Sequence, residues 1–528
     1  MIQIGQDILA SIKAKHPRPS WRNIIVLGPI MLAFLFLAIR TLSIGITGER
    51  APGRVRAVHP AGIQNLRADI VDRNGEILAK NTYTFDLILN ARLIKDADAA
   101  AAFIRELFPD MQARDIIERI ASRRGQIVMR TNIERERALA IRRRRMDGVE
   151  VSQNQTRVYP KQNSTSHIVG FVHSSGQGAE GMERIVNDRL ANNPEPLRLS
   201  IDSRIQSIMW TELSQGMKEY QARSAMGILM NARTGEIIAI VNVPDFDPEN
   251  INDFPTANRR FRIMHDNFEM GSIFKIFTTA AALANGIDVN TTFNVADPFL
   301  VAGRPVGEAR GFKPPAKNLN LAQIFQYSSN SGSAQIALSL PSGTQRAFYR
   351  ELNFYDAINT DFGATARTRI PSSDNLTDRS RWSFGQGISV TPLHLLVAAN
   401  AIINDGLFVM PTIYRRGFVP QARQVVPAHV SRQMRQILLT TGTTTGRMAA
   451  NRIHSMLIGG KTSTAEKFID GKYSETRHLT GYFATFPIQA PKWSILILLD
   501  EPMTTPRFAS QNAVPLAGRI LDAIIPLL

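Results

Sequence analysis

Apolar positions along the chain follow three patterns, and each predicts a different element. Ile24 to Ile39 is a run of 16 residues without a charge, and most are apolar. Arg40 interrupts it, and Leu42, Ile44 and Ile46 continue it. From Ile24 to Ile46 the segment would be about 34 Å long as a helix, enough for a hydrocarbon core of ~30 Å. It is read as one retained transmembrane helix, residues 24–46, behind a basic tail of residues 1–23. A cleaved signal peptide fits less well, because the lead is long and no small-x-small cleavage site follows. Lys and Arg flank the segment on both sides, so charge alone orients it weakly.

The other two patterns are globular. Ala68 to Ala79 reads as strand, turn, strand about Asn74-Gly75, the strongest short hairpin signal. Residues 96–145 read as helical, and Val158 to Gly181 as loop. Asp202 can cap a helix whose apolar stripe is Ile205, Ile208, Met209 and Leu213. Met226–Met230 and Glu236–Val243 form a predicted hairpin about Arg233-Thr234-Gly235. Helices are expected over Ser272–Ala284, most of Leu319–Leu340, Pro392 to Gly406 and Val514–Leu527. Strands are expected over Leu479–Phe486 and Trp493–Leu499. Strands at both ends with helices between imply a sheet whose two edges come from distant sequence.

Composition narrows this picture. With 528 residues the chain has room for two or three domains, and 44% apolar and 20% charged residues are ordinary globular usage. There is no cysteine, so disulfides, thiolate catalysis and cysteine-bound metals are excluded. The net charge of +17 calls for an anionic neighbour: nucleic acid, a membrane surface or an acidic polymer. Arg142 to Arg145 is read as a solvated face rather than a nucleic-acid site, because no aromatic residues interleave with it.

Three short motifs carry candidate chemistry. Ser272-Ile273-Phe274-Lys275 opens a helix, and spacing i, i+3 puts hydroxyl and amine on one face. A serine needs a base to attack a carbonyl, and a desolvated lysine can be that base. Free N–H groups at a helix N-terminus can hold an oxyanion. Ser328-Ser329-Asn330 lies at a break in a helical region. Lys461-Thr462-Ser463-Thr464 follows Gly459-Gly460 at the start of a strand. Alone, each serves equally as a capped helix, a loop cluster or a protected strand edge.

In this order the three resemble the motifs of the penicilloyl-serine transferase superfamily: Ser-x-x-Lys, Ser-x-Asn and Lys-Thr-Gly. Phe268 to Gly271, Ser383 to Pro392 and Gly459 to Lys467 resemble class B penicillin-binding proteins. So do Arg67 with Asp72-Arg73-Asn74-Gly75, Arg157 to Pro160, and Glu180 to Glu183. The short tail, the length and Glu269-Met270-Gly271-Ser272 resemble the cell-division branch, the septal D,D-transpeptidase. The resemblance implies a multidomain α+β chain: tail 1–23 in the cytoplasm, span 24–46, membrane-proximal pedestal 47–198, and transpeptidase domain 199–528 with an antiparallel sheet flanked by helices. Residues 47–528 would lie in the periplasm, beyond the inner membrane.

The resemblance also implies roles. Ser272 would attack the D-Ala-D-Ala carbonyl of a stem peptide, and Lys275 would take its proton. Ser328 would relay a proton to the leaving amine, and Asn330 would orient substrate and Lys275. Lys461 would supply positive charge, and Thr464, with Thr462, would meet the substrate carboxylate. Strand alternation, rather than the resemblance, places Ser463 on the face of Lys461 at the substrate, where it would preserve catalysis but tighten the cleft against bulky β-lactams; it turns the Thr464 side chain away, so that contact rests on the resemblance and on local twist. Backbone N–H groups of Ser272 and Thr464 would hold the oxyanion. β-Lactams would trap the acyl-enzyme, and no metal or cofactor is implied. Expected partners are peptidoglycan stem peptides, a lipid II glycosyltransferase and other division membrane proteins, with no nucleic acid. The chain departs from the pattern in three places: Ser463 stands for glycine, Met270 stands for a common proline, and Arg507 to Ser510 lacks an aromatic-glycine-glycine segment. The alternatives are an elongation-branch transpeptidase and, favoured by Ser463 alone, a catalytically silent division scaffold or β-lactam sensor.

Overall fold

The computed structural model describes residue 35 and residues 67–528, apart from 123–124, 192, 296–298, 310–312, 445–451 and 454–455. The expected tail and, but for Leu35, the expected membrane span lie outside the described residues.

Asn74-Gly75 turns the chain between β1 (Ile70–Val71) and β2 (Ile77–Asn90), which pair antiparallel. The buried Asp72 holds the turn: its Oδ1 accepts from the Asn74 and Glu76 amides at 2.7 and 2.9 Å. Helices α1 (Ala97–Leu107) and α2 (Ala113–Ala121) follow. Then comes β3 (Gln126–Ile133), where the sequence pattern predicted continuous helix. β3 pairs with β2, and Phe85↔Ile133 to Asn90↔Gln126 are its register. Sheet pairing overrides local propensity here. α3 (Arg135–Arg144) ends in the arginine run, whose four side chains are exposed. Arg142 and Arg144 lie over the rings of Phe85 and Phe103 at 5.6 and 5.8 Å. β4 (Val149–Val158) pairs with β2, and β5 (Leu197–Arg198) runs parallel to β1.

The family-like residues of this module converge. Glu183, fully buried, accepts from Arg67 Nε at 2.5 Å and from Arg157 Nε at 2.7 Å. Arg157 Nη2 also donates to the Ala68 carbonyl at 2.8 Å. Asp72 Oδ2 reaches onward, accepting from the Ser203 amide and hydroxyl at 3.0 and 2.8 Å. Ser203 opens α4 (Ser203–Glu219), capped by Asp202, so the first hairpin is bolted to the start of the next layer.

That layer rests on an antiparallel sheet. In spatial order its strands are β8 (Gly459–Ile469), β9 (Lys472–Phe486), β10 (Trp493–Asp500), β6 (Ser224–Asn231) and β7 (Ile237–Val243). As expected, the two edges, β7 and β8, come from distant sequence. The central strands are buried on both faces, which explains their unbroken apolar runs. Ala225, Leu229, Ile495 and Ile497 pack with α4 and with α9 (Ala513–Ile524). Met226, Ile228, Leu496 and Leu498 pack on the opposite side, in the cluster that holds α5 (Lys275–Ala284) and α8 (Pro392–Ile403). Thr391 caps α8 and Pro392 starts it; all twelve of its residues are buried, so it is apolar all round. Between α5 and α8 lie α6 (Leu321–Tyr327) and α7 (Asn330–Ser339).

Candidate active site

Ser272 sits where a tight turn meets edge strand β8. Gly271–Phe274 is a turn of 3-10 helix that α5 continues from Lys275. The sequence pattern placed both residues in one α-helix. In the tighter turn, i and i+3 eclipse, so Ser272 and Lys275 stand directly over one another. Gly271 has φ +52°, and a Cβ on it would come within 2.5 Å of Ser463 Oγ and 3.0 Å of the Ala465 Cβ. Glycine therefore lets β8 close onto the turn. From the other side, Phe268 and Val390 exchange both backbone hydrogen bonds, at 2.9 and 3.0 Å. The Ser383–Pro392 segment thus braces the nucleophile turn.

The second motif occupies the break between α6 and α7. Ser328 ends α6 in the left-handed region at φ 60°, Ser329 caps α7 by accepting from the Gly332 amide, and Asn330 is its first residue. The reversal aims Ser328 and Asn330 at the amine of Lys275. Lys275 Nζ lies 3.0 Å from Ser272 Oγ, 2.7 Å from the Ser328 carbonyl, 3.1 Å from Ser328 Oγ and 2.7 Å from Asn330 Oδ1. Ser328 Oγ is 3.0 Å from Ser272 Oγ, and Lys461 Nζ donates to Ser328 Oγ at 2.9 Å.

These distances fix a direction. Burial, and then the charge of Lys461, press the Lys275 ammonium well below the usual lysine range, against a smaller opposing pull from Glu308. A neutral amine has two protons and one lone pair. The Ser328 carbonyl and Asn330 Oδ1 can only accept, so they take the two protons. The lone pair is left facing the Ser272 hydroxyl. With Lys275 in its neutral form, Lys461 donates to Ser328, Ser328 to Ser272, and Ser272 to Lys275, one continuous proton path; the ammonium form donates to Ser272 instead. Burial lowers Lys461 as well, to about 7.

Along β8, alternation sorts the third motif. Lys461 and Ser463 face the nucleophile turn. The Ser463 hydroxyl, 4% exposed, donates to the Met270 carbonyl at 2.6 Å. It is turned onto the turn before Ser272, not into the cleft. Thr462 is half-buried and its carbonyl accepts from Lys461 Nζ at 3.3 Å. Thr464 Oγ1 accepts from the Ala509 amide at 3.0 Å, which places the divergent segment after β10 beside the strand. One residue had no sequence signal: Glu308, isolated in a loop more than twenty positions before Asn330. Its carboxylate accepts from the Asn330 amide at 2.7 Å and from the Ser331 hydroxyl at 2.6 Å.

The family descriptions that match are "Penicillin binding protein transpeptidase domain" over residues 225–522 and "Penicillin-binding Protein dimerisation domain" over residues 63–194. A probable peptidoglycan D,D-transpeptidase FtsI of Caulobacter vibrioides is 30% identical over 490 residues, 88% of this chain and 82% of its own. The peptidoglycan D,D-transpeptidase FtsI of Escherichia coli K12 is 23% identical, over 96% of this chain and 92% of its own. Penicillin binding protein 2X from Streptococcus thermophilus shares the fold, with a TM-score of 0.74, 17% identity, and coverage of 88% of this chain and 80% of its own. The chain belongs to the penicillin-binding protein transpeptidases, as a class B member of the cell-division branch.

Proposed function

We propose that Ser272 is the nucleophile through which this peptidoglycan D,D-transpeptidase cross-links stem peptides during septal wall synthesis. The observation that carries the reading is the amine of Lys275, which lies 3.0 Å from Ser272 Oγ and 2.7 Å from each of two carbonyl oxygens, of Ser328 and Asn330. Ser272 Oγ attacks the penultimate D-alanine carbonyl while its proton passes to Lys275. The oxyanion is held by the amides of Ser272 and Thr464. Ser272 lies in the first turn, where N–H groups lack helical acceptors, and Thr464 lies on an edge strand. As the peptide C–N bond breaks, the proton travels from Lys275 through Ser328 to the leaving nitrogen, and the terminal D-alanine departs. An amine of a neighbouring stem then attacks the ester, loses its proton by the reverse path, and frees Ser272. Asn330 holds Lys275 and the bound peptide. Lys461 receives the substrate carboxylate; Thr462 and Thr464, on the other face of the strand by alternation, reach it through the local twist of the edge strand, and Ser463 lines the same strand. A β-lactam follows the first half of this course and stays on Ser272, because its leaving nitrogen remains tethered.

The domain assignment completes the proposal. Residues 24–46 span the inner membrane with 1–23 in the cytoplasm, 47–198 form the pedestal, and 199–528 form the transpeptidase domain in the periplasm. The anchor packs against a polytopic lipid II glycosyltransferase among the division membrane proteins. Net charge +17 suits a chain beside anionic lipid and an acidic wall polymer. The test is to label the full chain with a fluorescent penicillin and map the modified residue. Label on Ser272, lost in Ser272→Ala, is expected; undiminished label in that variant refutes the reading. A reporter fused after Leu528 that works only in the cytoplasm refutes the topology.

A further inference from the structure

Glu308 takes no part in the chemistry above, yet its carboxylate is saturated by the head of α7. Oε2 accepts from the Asn330 amide at 2.7 Å. Oε1 accepts from the Ser331 hydroxyl and amide at 2.6 and 3.3 Å, and from the Ser329 hydroxyl. The adjacent Gly307 carbonyl accepts from Asn330 Nδ2 at 3.3 Å. Glu308 thus reaches all three residues that follow Ser328, and its neighbour takes the amide nitrogen whose partner oxygen contacts Lys275.

The loop that delivers it is itself anchored. Phe299–Val301 pairs with Arg304–Val306 as a short hairpin. Buried Val301 and Val306 pack against Ala334 of α7 and against Phe384. The carboxylate therefore rides on the helix it grips. Among the described residues it makes no ion pair. Its four donors are two amides and two hydroxyls, so its charge is offset by the α7 N-terminus and felt by Lys275 nearby. The charged groups that act on Lys275 are Lys461 from β8 and Glu308 from this loop. Ser272, Ser328 and Asn330, also against it, are neutral.

We propose that Glu308 is a positioning residue of the acyl-transfer site, which by gripping Ser329, Asn330 and Ser331 fixes Asn330 Oδ1 on the Lys275 amine and so turns its lone pair to Ser272. The inference rests on the proposed role of Lys275 as base. It assigns the orientation of that base to a carboxylate that does not touch it.

Glu308→Gln keeps the length but places an NH2 among groups that are all donors, and it removes the charge. Acylation of Ser272 by a fluorescent penicillin, measured with the full chain in detergent across pH, is expected to slow by about 10- to 100-fold, the scale of a misplaced reacting group. The acid limb of the profile should move to lower pH, because a lost anion makes the Lys275 ammonium easier to deprotonate. Glu308→Asp should return the limb towards the wild-type position. Ser331→Ala, which removes one donor and leaves the charge, should slow acylation by a few-fold with the limb unmoved, and it serves if the glutamine variant does not fold. Equal rates and profiles for Glu308→Gln and wild type overturn the proposal. So does a slowed Glu308→Gln whose acid limb has not moved, since Glu308 is then only a fold anchor. Should Glu308→Gln not fold, an unchanged Ser331→Ala overturns it. Failure of the underlying reading looks different: the wild type itself would then not be acylated on Ser272.

Discussion

Two of the places where the protein buries charge handle it in opposite ways. In the pedestal, Glu183 is fully buried between two guanidiniums, Arg67 and Arg157, so the anion is paired on both oxygens. In the active site, Lys275 and Lys461 are 1% and 2% exposed, and neither makes an ion pair with a described carboxylate. Their neighbours are hydroxyls, carbonyls and each other. A paired buried charge is a fastening, whose loss leaves an uncompensated partner. An unpaired buried amine is driven towards its neutral form, which is the form that can take a proton. The same burial that costs stability in one place favours the proton-accepting form of an amine in the other.

Breaking the amine site should give the largest effect. Lys275→Met keeps the bulk and removes the base. Acylation by penicillin should fall by about 10²- to 10⁴-fold, while the melting temperature holds or rises because a desolvated amine is gone. A clear loss of melting temperature would place Lys275 with the fastenings. Glu183→Gln should do the reverse. It leaves two buried guanidiniums short of an anion, so the chain should lose about 3–5 kcal/mol in thermal unfolding. Well below its melting point it should still acylate within about twofold of wild type.

The pH profile sharpens the contrast. As the proposed base Lys275 would work deprotonated, so acylation should rise from the acid side as it loses its proton. In the proposed role Lys461 is a cation, and burial lowers it to about 7, so the second-order rate should fall as pH climbs through that value. Lys461→Arg does not titrate there and should abolish the alkaline fall, whatever it does to the maximum rate. A profile that keeps its alkaline limb assigns that limb elsewhere. The smallest effect is expected at Ser463, whose hydroxyl is spent on the Met270 carbonyl. Ser463→Gly removes one hydrogen bond, about 0.5–1.5 kcal/mol. Acylation by small and bulky β-lactams should then slow alike, by less than about tenfold. A selective gain for the bulky compound would restore the crowding role that the sequence suggested.

Much of the catalytic constellation was legible because its chemistry is compact. Ser272 and Lys275 are one turn apart, and Ser328 and Asn330 flank a single residue. Alternation along β8 was enough to put Lys461 and Ser463 on one face and turn Thr464 away. The pedestal was less legible: β3 read as part of a helical stretch, since its strand identity is decided by pairing with β2, some forty residues earlier. The direction of the Ser463 hydroxyl was also hidden, because its acceptor, Met270, lies on another element.

The sequence by itself determined which groups exist and which short spacings they keep: the apolar run at 24–39, the buried strands on either side of the helical middle, and three motifs that carry hydroxyls, amines and an amide at short spacing. These follow from periodicity and from contacts within one turn, which need no distant partner. Only the tertiary structure decided what those groups are. It seats Ser328 in a left-handed turn against Lys275, closes β8 onto Gly271, and brings an unremarkable glutamate to the head of α7. Proton affinity and lone-pair direction depend on burial and on neighbours within about 4 Å. Those neighbours come from segments that meet only when the sheet and its helices pack.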